Sequence, residues 1–217
     1  MLNQNSSEMP ADSGTDSREP SGGLAKNDRG ASADEELVIA GLACRFPQSP
    51  STSEFWKNLV QGKNMVTVDD VHFPSTFGGE LPAGKGHVTN QDRFDNSFFN
   101  FNPAQAAKID PQLRFLLELS YEAVVDSGLS FQELKGGNTG VFIGSCFTDT
   151  HKAFLSDYSQ ITGYENTGNA QSMFANRLSY FYDWKGPSFS VDTACSSGMV
   201  FVIQGGSRTW TPLYSTI

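Results

Sequence analysis

Apolar residues fall along this chain in runs and stripes of unequal length, and the period of each predicts its element. Residues 37–42 (LVIAGL) are continuously apolar and too short for a helix, which predicts a strand buried on both faces. Ser51-Thr52-Ser53-Glu54 has the form of a capping box, with Phe55, Trp56, Leu59 and Val60 following on one helical face. A stretch rich in Gly and Pro, residues 69–92, reads as a loop. Asp110 and Pro111 then form a cap and first-turn pair. The helix they open carries Leu113, Leu116, Leu117, Ser120 and Val124 on one stripe and stops at Gly128. A Gly136-Gly137-Asn138 turn introduces a second buried strand at residues 139–144. Helical spacing returns over residues 170–182, with Met173, Leu178 and Phe181 facing inward. Residues 188–192 form a short strand, and a further helix begins at Cys195. Strands alternating with helices predict an α/β layered domain with a largely parallel sheet.

Composition changes this picture mainly at the ends. Residues 1–36 hold no aromatic, valine or isoleucine and carry eight acidic against three basic side chains, so most of the net charge of −9 sits there. Such a segment buries too little apolar surface to offset the entropy of ordering, and a disordered tail over residues 1–36 is expected. All 17 phenylalanines lie from Phe46 onward, which sets the start of the globular part near residue 37. Nothing forms a basic face, so nucleic acid and anionic membrane are not expected as partners. The N-terminus lacks the apolar core of a secretory signal, and the longest late apolar run, residues 199–203, is far too short to span a bilayer. Three scattered cysteines make neither a disulfide framework nor a C-x-x-C metal pair, which fits a reducing compartment, and a cytoplasmic protein is expected.

The candidate chemistry lies in Val191-Asp192-Thr193-Ala194-Cys195-Ser196-Ser197. A buried strand turning sharply into a helix would place the Cys195 sulfur near unpaired N–H groups, which favour thiolate and make a nucleophile. Asp192 reads as a brace of that turn rather than as a base. Cys44 and Cys146 read as small buried hydrophobes. His72, His87 and His151 lack the spacing of a metal set or a triad and read as surface or loop residues. Gly84-Lys85-Gly86-His87 lacks phosphate-loop spacing, and the phenylalanines of residues 94–101 read as core and interface packing.

The cysteine segment does not stand alone. Residues 36–47 (ELVIAGLACRFP), 54–59 (EFWKNL), 93–99 (RFDNSFF), 109–118 (IDPQLRFLLE), 121–123 (YEA), 139–144 (TGVFIG), 175–179 (ANRLS) and 186–188 (GPS) precede or flank it in order. This series, over residues 36–204, resembles the β-ketoacyl synthase (ketosynthase) family, in wording nearest to animal fatty acid synthase and animal polyketide synthases. The resemblance implies a thiolase-like layered αβαβα fold, of which this chain spans the N-terminal half with a mixed, largely parallel sheet. It implies that Cys195 holds an acyl chain as a thioester for decarboxylative condensation with a malonyl thioester. The resemblance implies no bound metal or redox cofactor; the substrates would be carried on phosphopantetheine, with an acyl carrier protein domain as partner and a homodimer as the family's assembly. Residues 169–177 would line the acyl tunnel and approach the dimer partner.

The family's HGTGT-like and NxGH-like motifs, whose histidines assist decarboxylation and bind developing charge, do not occur in this sequence. After Gln204 the text no longer resembles the family, which makes residues 205–217 a divergent tail and suggests a truncated gene model or a frame change. Two expectations follow: a truncated ketosynthase, or a catalytically inactive fragment that acts by binding a full-length partner.

Overall fold

The computed structural model describes residues 38–68, 84–147, 149–156, 159, 161–200 and 211–216. The expected disordered tail, His72 and most of the Gly/Pro-rich loop lie outside these residues, as do Leu37 and residues 201–210. In chain order the elements are α1 (Thr52–Val60), β1 (Thr67–Val68), β2 (Gly84–Lys85), α2 (Pro103–Ala106), α3 (Pro111–Asp126), α4 (Phe131–Leu134), β3 (Thr139–Gly144), α5 (Asp149–Ser156), α6 (Glu165–Asn169), α7 (Gln171–Tyr182), β4 (Ser188–Val191) and β5 (Thr211–Thr216). A 3-10 turn, Ala194–Ser196, follows β4.

The centre of the fold is β3, every residue of which is buried. It pairs in parallel with β4 on one side, Gly144 opposite Val191, and in parallel with β5 on the other, Thr139 opposite Thr211. The sequence reading placed no element at β5. The glycine of residues 186–188 has a direct reason. A Cβ on Gly186 would lie 2.4 Å from the Thr139 carbonyl oxygen, which accepts a 3.1 Å hydrogen bond from the Gly186 N–H. Only a residue without a side chain lets β4 start this close to β3.

Helix α3 forms as its sequence predicts. The Asp110 carboxylate accepts from the Gln112 N–H at 2.8 Å, Pro111 occupies the first turn, and Leu113, Leu116, Leu117, Ser120 and Val124 are the buried residues. These leucines meet Val141 and Ile143 of β3 and Phe174, Leu178 and Tyr182 of α7 in one core. Each fully buried leucine contributes about 1.5–3 kcal/mol. Phe99 and Phe101 enter the same core, with Phe94 packed on it, as the aromatic run predicts. The phase of α7 differs by one position: Phe174 and Tyr182 are buried, whereas Met173 and Phe181 are half-buried. Tyr182 tolerates burial because its hydroxyl meets Ser120 Oγ at 3.0 Å and its ring stacks on Trp184 at 4.1 Å.

One expectation is overturned at the N-terminal edge. Residues 38–42 form no strand, and Val38 and Ile39 are 71% and 84% exposed. A strand requires a neighbour to take its backbone groups, and no described segment lies alongside. The segment instead lies on the outer face of α3. Leu42 N–H donates to Asp126 Oδ2 at 2.9 Å, and a Cβ on Gly41 would come 2.0 Å from the Ala123 carbonyl oxygen. Helix α1 keeps its apolar residues on one face, and that face is largely open, with Phe55 half-buried against the Phe46 ring at 4.3 Å. Ser51 caps it, accepting from the Glu54 N–H, but its only buried residue is Asn58, and Trp56, Leu59 and Val60 are exposed. Asn58 is drawn inward because its Nδ2 donates to Ser49 Oγ at 2.9 Å and to the Gln48 carbonyl at 3.0 Å.

Candidate active site

The parallel strands β3 and β4 end together, and Cys195 stands four residues beyond Val191 at that C-terminal edge. In open α/β sheets this edge is where ligands bind, because the loops leaving the strands diverge there. Cys195 is exposed, within the 3-10 turn, and residues 197–200 continue as α-helix.

The turn is held by its own side chains. Asp192 Oδ1 accepts from the Ala194 N–H at 3.0 Å, the bracing role its sequence position suggests. Ser197, buried, accepts from the Thr193 N–H at 2.9 Å through Oγ and donates to the Ala194 carbonyl at 2.8 Å. Ser196 Oγ donates to the Thr193 carbonyl at 2.8 Å. Ala194 is forced into the left-handed region with φ 51°. A residue with a Cβ holds that conformation only when its surroundings over-determine it, and such positions cluster at functional sites. The hydroxyl-rich sequence around the cysteine is therefore a set of local staples. Its small residues leave the sulfur uncovered.

Beneath the turn lies a polar network that sequence reasoning missed. Ser145, fully buried just after β3, donates its N–H to the Val191 carbonyl at 3.2 Å. Its own carbonyl accepts from Gln171 Nε2, and its Oγ faces Gln112 Oε1 at 3.4 Å. Gln112 Nε2 also donates to the Phe147 carbonyl at 3.1 Å, and Ser190 Oγ donates to the Gln171 carbonyl at 2.7 Å. The available signal was Gln112 itself, inside the residue 109–118 motif, but a glutamine in a helix's first turn reveals no partner until the strands are placed.

Of the other cysteines, Cys146 lies at this same edge, two residues beyond β3, and Cys44 lies away from it in the loop before α1. Cys44 and Cys146 are half-buried, not the buried hydrophobes expected. Burial pushes the Cys44 thiol above its ordinary value, Arg45 pulls it down and Glu122 adds to the rise. His87 lies just after β2, and His151 on α5 is half-buried. Lys85 belongs to the β1–β2 pair, so residues 84–87 form strand and loop rather than a phosphate cradle. Among the described residues no group of three His, Cys, Asp or Glu could hold a metal ion, and no helix is long and apolar enough to cross a membrane.

Residues 169–177 start beside the network. Asn169 is fully buried, its Nδ2 donating to the Lys108 and Glu165 carbonyls, and the Arg177 guanidinium lies over the Phe101 ring at 5.3 Å. Burial works against the charge of Glu165, but hydrogen bonds from the Thr162 and Gly163 N–H groups and the Thr162 hydroxyl hold its carboxyl below the usual range.

Comparisons with known proteins agree with this geometry. The family described as "Beta-ketoacyl synthase, N-terminal domain" matches residues 34–205. A fatty acid synthase of the goose Anser anser anser is 47% identical over 167 residues, a match covering 76% of this chain and 47% of that protein. A hybrid PKS-NRPS synthetase, LUC5, of Fusarium is 42% identical over 180 residues, covering 77% of this chain and 5% of that protein. Among solved structures, the oxazolomycin ketosynthase domain OzmH KS7 of Streptomyces albus JA3453 superposes with a TM-score of 0.67 at 31% identity, covering 79% of this chain and 32% of that one. The ketosynthase from module 6 of the bacillaene synthase of Bacillus subtilis 168 gives 0.67 at 28% identity, covering 76% of this chain and 28% of that one. The chain thus spans less than half the length of each of these relatives. Its mixed α/β fold is related to theirs, and by the extent of the family match the chain belongs to the β-ketoacyl synthases.

Proposed function

We propose that Cys195 is the acyl-bearing nucleophile of a β-ketoacyl synthase from a fatty acid or polyketide synthase. The observation that carries this reading is the exposed thiol on a stapled, strained turn at the C-terminal edge of β3 and β4. In the first half-reaction the Cys195 sulfur attacks an acyl thioester, the new sulfur–carbon bond forms and the donor leaves as a thiol. Backbone N–H groups at the start of the following helix are suited to receive the negative charge that builds on the carbonyl oxygen. In the second, a malonyl thioester loses carbon dioxide, its carbanion attacks the acyl carbonyl, and Cys195 is released as the product forms. The donors are phosphopantetheine thioesters on an acyl carrier protein, with no resident metal or cofactor. The full domain is a cytoplasmic homodimer with the layered αβαβα arrangement; residues 37–204 of this chain are its first half, with a disordered tail at 1–36 and a divergent stretch at 205–217 that carries β5.

The exposed apolar residues of α1 and of residues 38–42 favour a second reading for this chain by itself, a fragment that binds a longer ketosynthase. Acyl transfer separates the two, because it needs chiefly the nucleophile. Incubation of the 217-residue protein with an acyl coenzyme A should give one hydroxylamine-sensitive adduct, mapped by mass to Cys195 and lost in Cys195→Ala. Added malonyl coenzyme A should release no carbon dioxide, since the two histidine motifs of the family are absent from this sequence. An adduct spread evenly over Cys44, Cys146 and Cys195, or none at all, would falsify the nucleophile assignment.

A further inference from the structure

We infer that Gln112 and Gln171 are positioning residues for the Cys195 turn, acting together through the loop that leaves β3. The inference rests on Cys195 being the nucleophile. Both glutamines sit in the first turn of a helix, Gln112 in α3 and Gln171 in α7, and both reach the same segment, residues 145–147. Gln112 is itself fixed, because its backbone N–H is taken by the buried Asp110 cap. Its amide spans the segment, Oε1 meeting Ser145 Oγ and Nε2 donating to the Phe147 carbonyl.

Gln171 grips the segment from the other side, donating Nε2 to the Ser145 carbonyl, and is tied to β4 through the Ser190 hydroxyl. The chain of bonds then reaches the turn directly. Ser145 N–H holds the Val191 carbonyl, and the next residue, Asp192, holds the Ala194 N–H one position before Cys195. An edge without this clamp would leave β4 fixed only as far as its ladder, and the strained Ala194 conformation would have no rigid base. Both helix starts are anchored to the core, that of α3 by the Asp110 cap and that of α7 by the fully buried Phe174 and Ala175 in its first turns.

The test uses the whole 217-residue chain and limiting iodoacetamide, with the labelling of each thiol followed by peptide mass. Gln171→Met keeps the length of the side chain but removes the donor. Cys195 labelling should fall by roughly three- to tenfold, the range expected for losing about one hydrogen bond's worth of order. Cys146, inside the released segment, should label faster, and Cys44, on the far side of α3, should not change. Gln171→Lys returns a donor within reach and should restore Cys195 labelling toward the original rate. Gln112→Met should act in the same direction as Gln171→Met, while Gln112→Glu, which keeps the acceptor for Ser145, should lose less.

A merely structural role predicts a different pattern, in which all three thiols label faster together as the fold loosens and Lys gives no rescue. That pattern, or Cys195 labelling unchanged in Gln171→Met, overturns the inference and leaves the nucleophile reading standing. If the unsubstituted chain shows no preference for Cys195, both readings fall, since a turn without a favoured thiol has nothing to position.

Discussion

Arg45 shows how much one residue organises on the outer face of α3. Its guanidinium pairs with both carboxylate oxygens of Glu122 and donates to the Pro50 and Cys44 carbonyls, so one side chain both ties the loop before α1 to itself and fastens it to the helix. Beside it, half-buried Glu118 is pushed above its usual carboxylate value first by burial, with Arg45 lowering it, Glu122 raising it, and the Asp95 backbone N–H and carboxylate pulling in opposite directions. A carboxyl raised on folding favours the native state when protonated. That contribution is whole below the unfolded value and is lost as pH rises through the folded one. Glu118→Gln should therefore match the parent near pH 4 and be more stable at pH 7, by tenths of a kcal/mol after solvent screening. Urea midpoints at both pH values check this, and a variant less stable at pH 7 would count against it. At the same scale, the braced turn around Cys195 was legible because Asp192 and Ser197 bond within the turn itself. Gln112 and Gln171 were not, because the partners of their side-chain amides lie 26 or more positions away.

Among elements, what the sequence makes legible follows from where each takes its partners. Helix α3 has its cap, its proline and its apolar stripe within one stretch, and the structure reproduces that stripe residue by residue. Strand β3 is legible for a related reason, since six apolar or small residues between turns have few alternatives. Residues 38–42 have the same apolar character but no described strand beside them, and an apolar run alone cannot supply an edge. In α1 the helical period is real, but period fixes only which residues share a face and not whether that face is covered. Asn58 is held inward by its bonds to Gln48 and Ser49. The junction of β3 and β4 gives a direct test. Gly186→Ala would drive a Cβ into the Thr139 carbonyl, which backbone must move to relieve, and should cost about 1–3 kcal/mol in urea unfolding. A loss below a few tenths would mean that β4 can shift without consequence.

Among the described residues lies an open apolar groove of about 1020 Å³, lined by Leu42, Phe46, Phe55, Trp56, Leu59 and Phe115 among others, and not by Cys195. Trp56 at 67% exposed and Leu59 at 48% form part of its rim. Apolar surface on this scale draws dyes and other chains. The unsubstituted protein should bind an apolar fluorescent dye and self-associate with rising concentration. Trp56→Lys with Leu59→Lys should reduce both while leaving the far-UV circular dichroism unchanged. Dye binding that is absent in the parent, or equal in the double variant, would place the sticky surface elsewhere. The pairing of β3 carries another consequence, one of timing. Both of its strand neighbours, β4 and β5, lie later in the chain, so the most apolar strand leaves the ribosome before either can cover it. Parallel pairs must close a long intervening loop before they gain anything, which slows their formation. Helix α3, already complete upstream, is then the first surface on which β3 can shelter, and it must guard that strand until the residues on either side of Cys195 have been made.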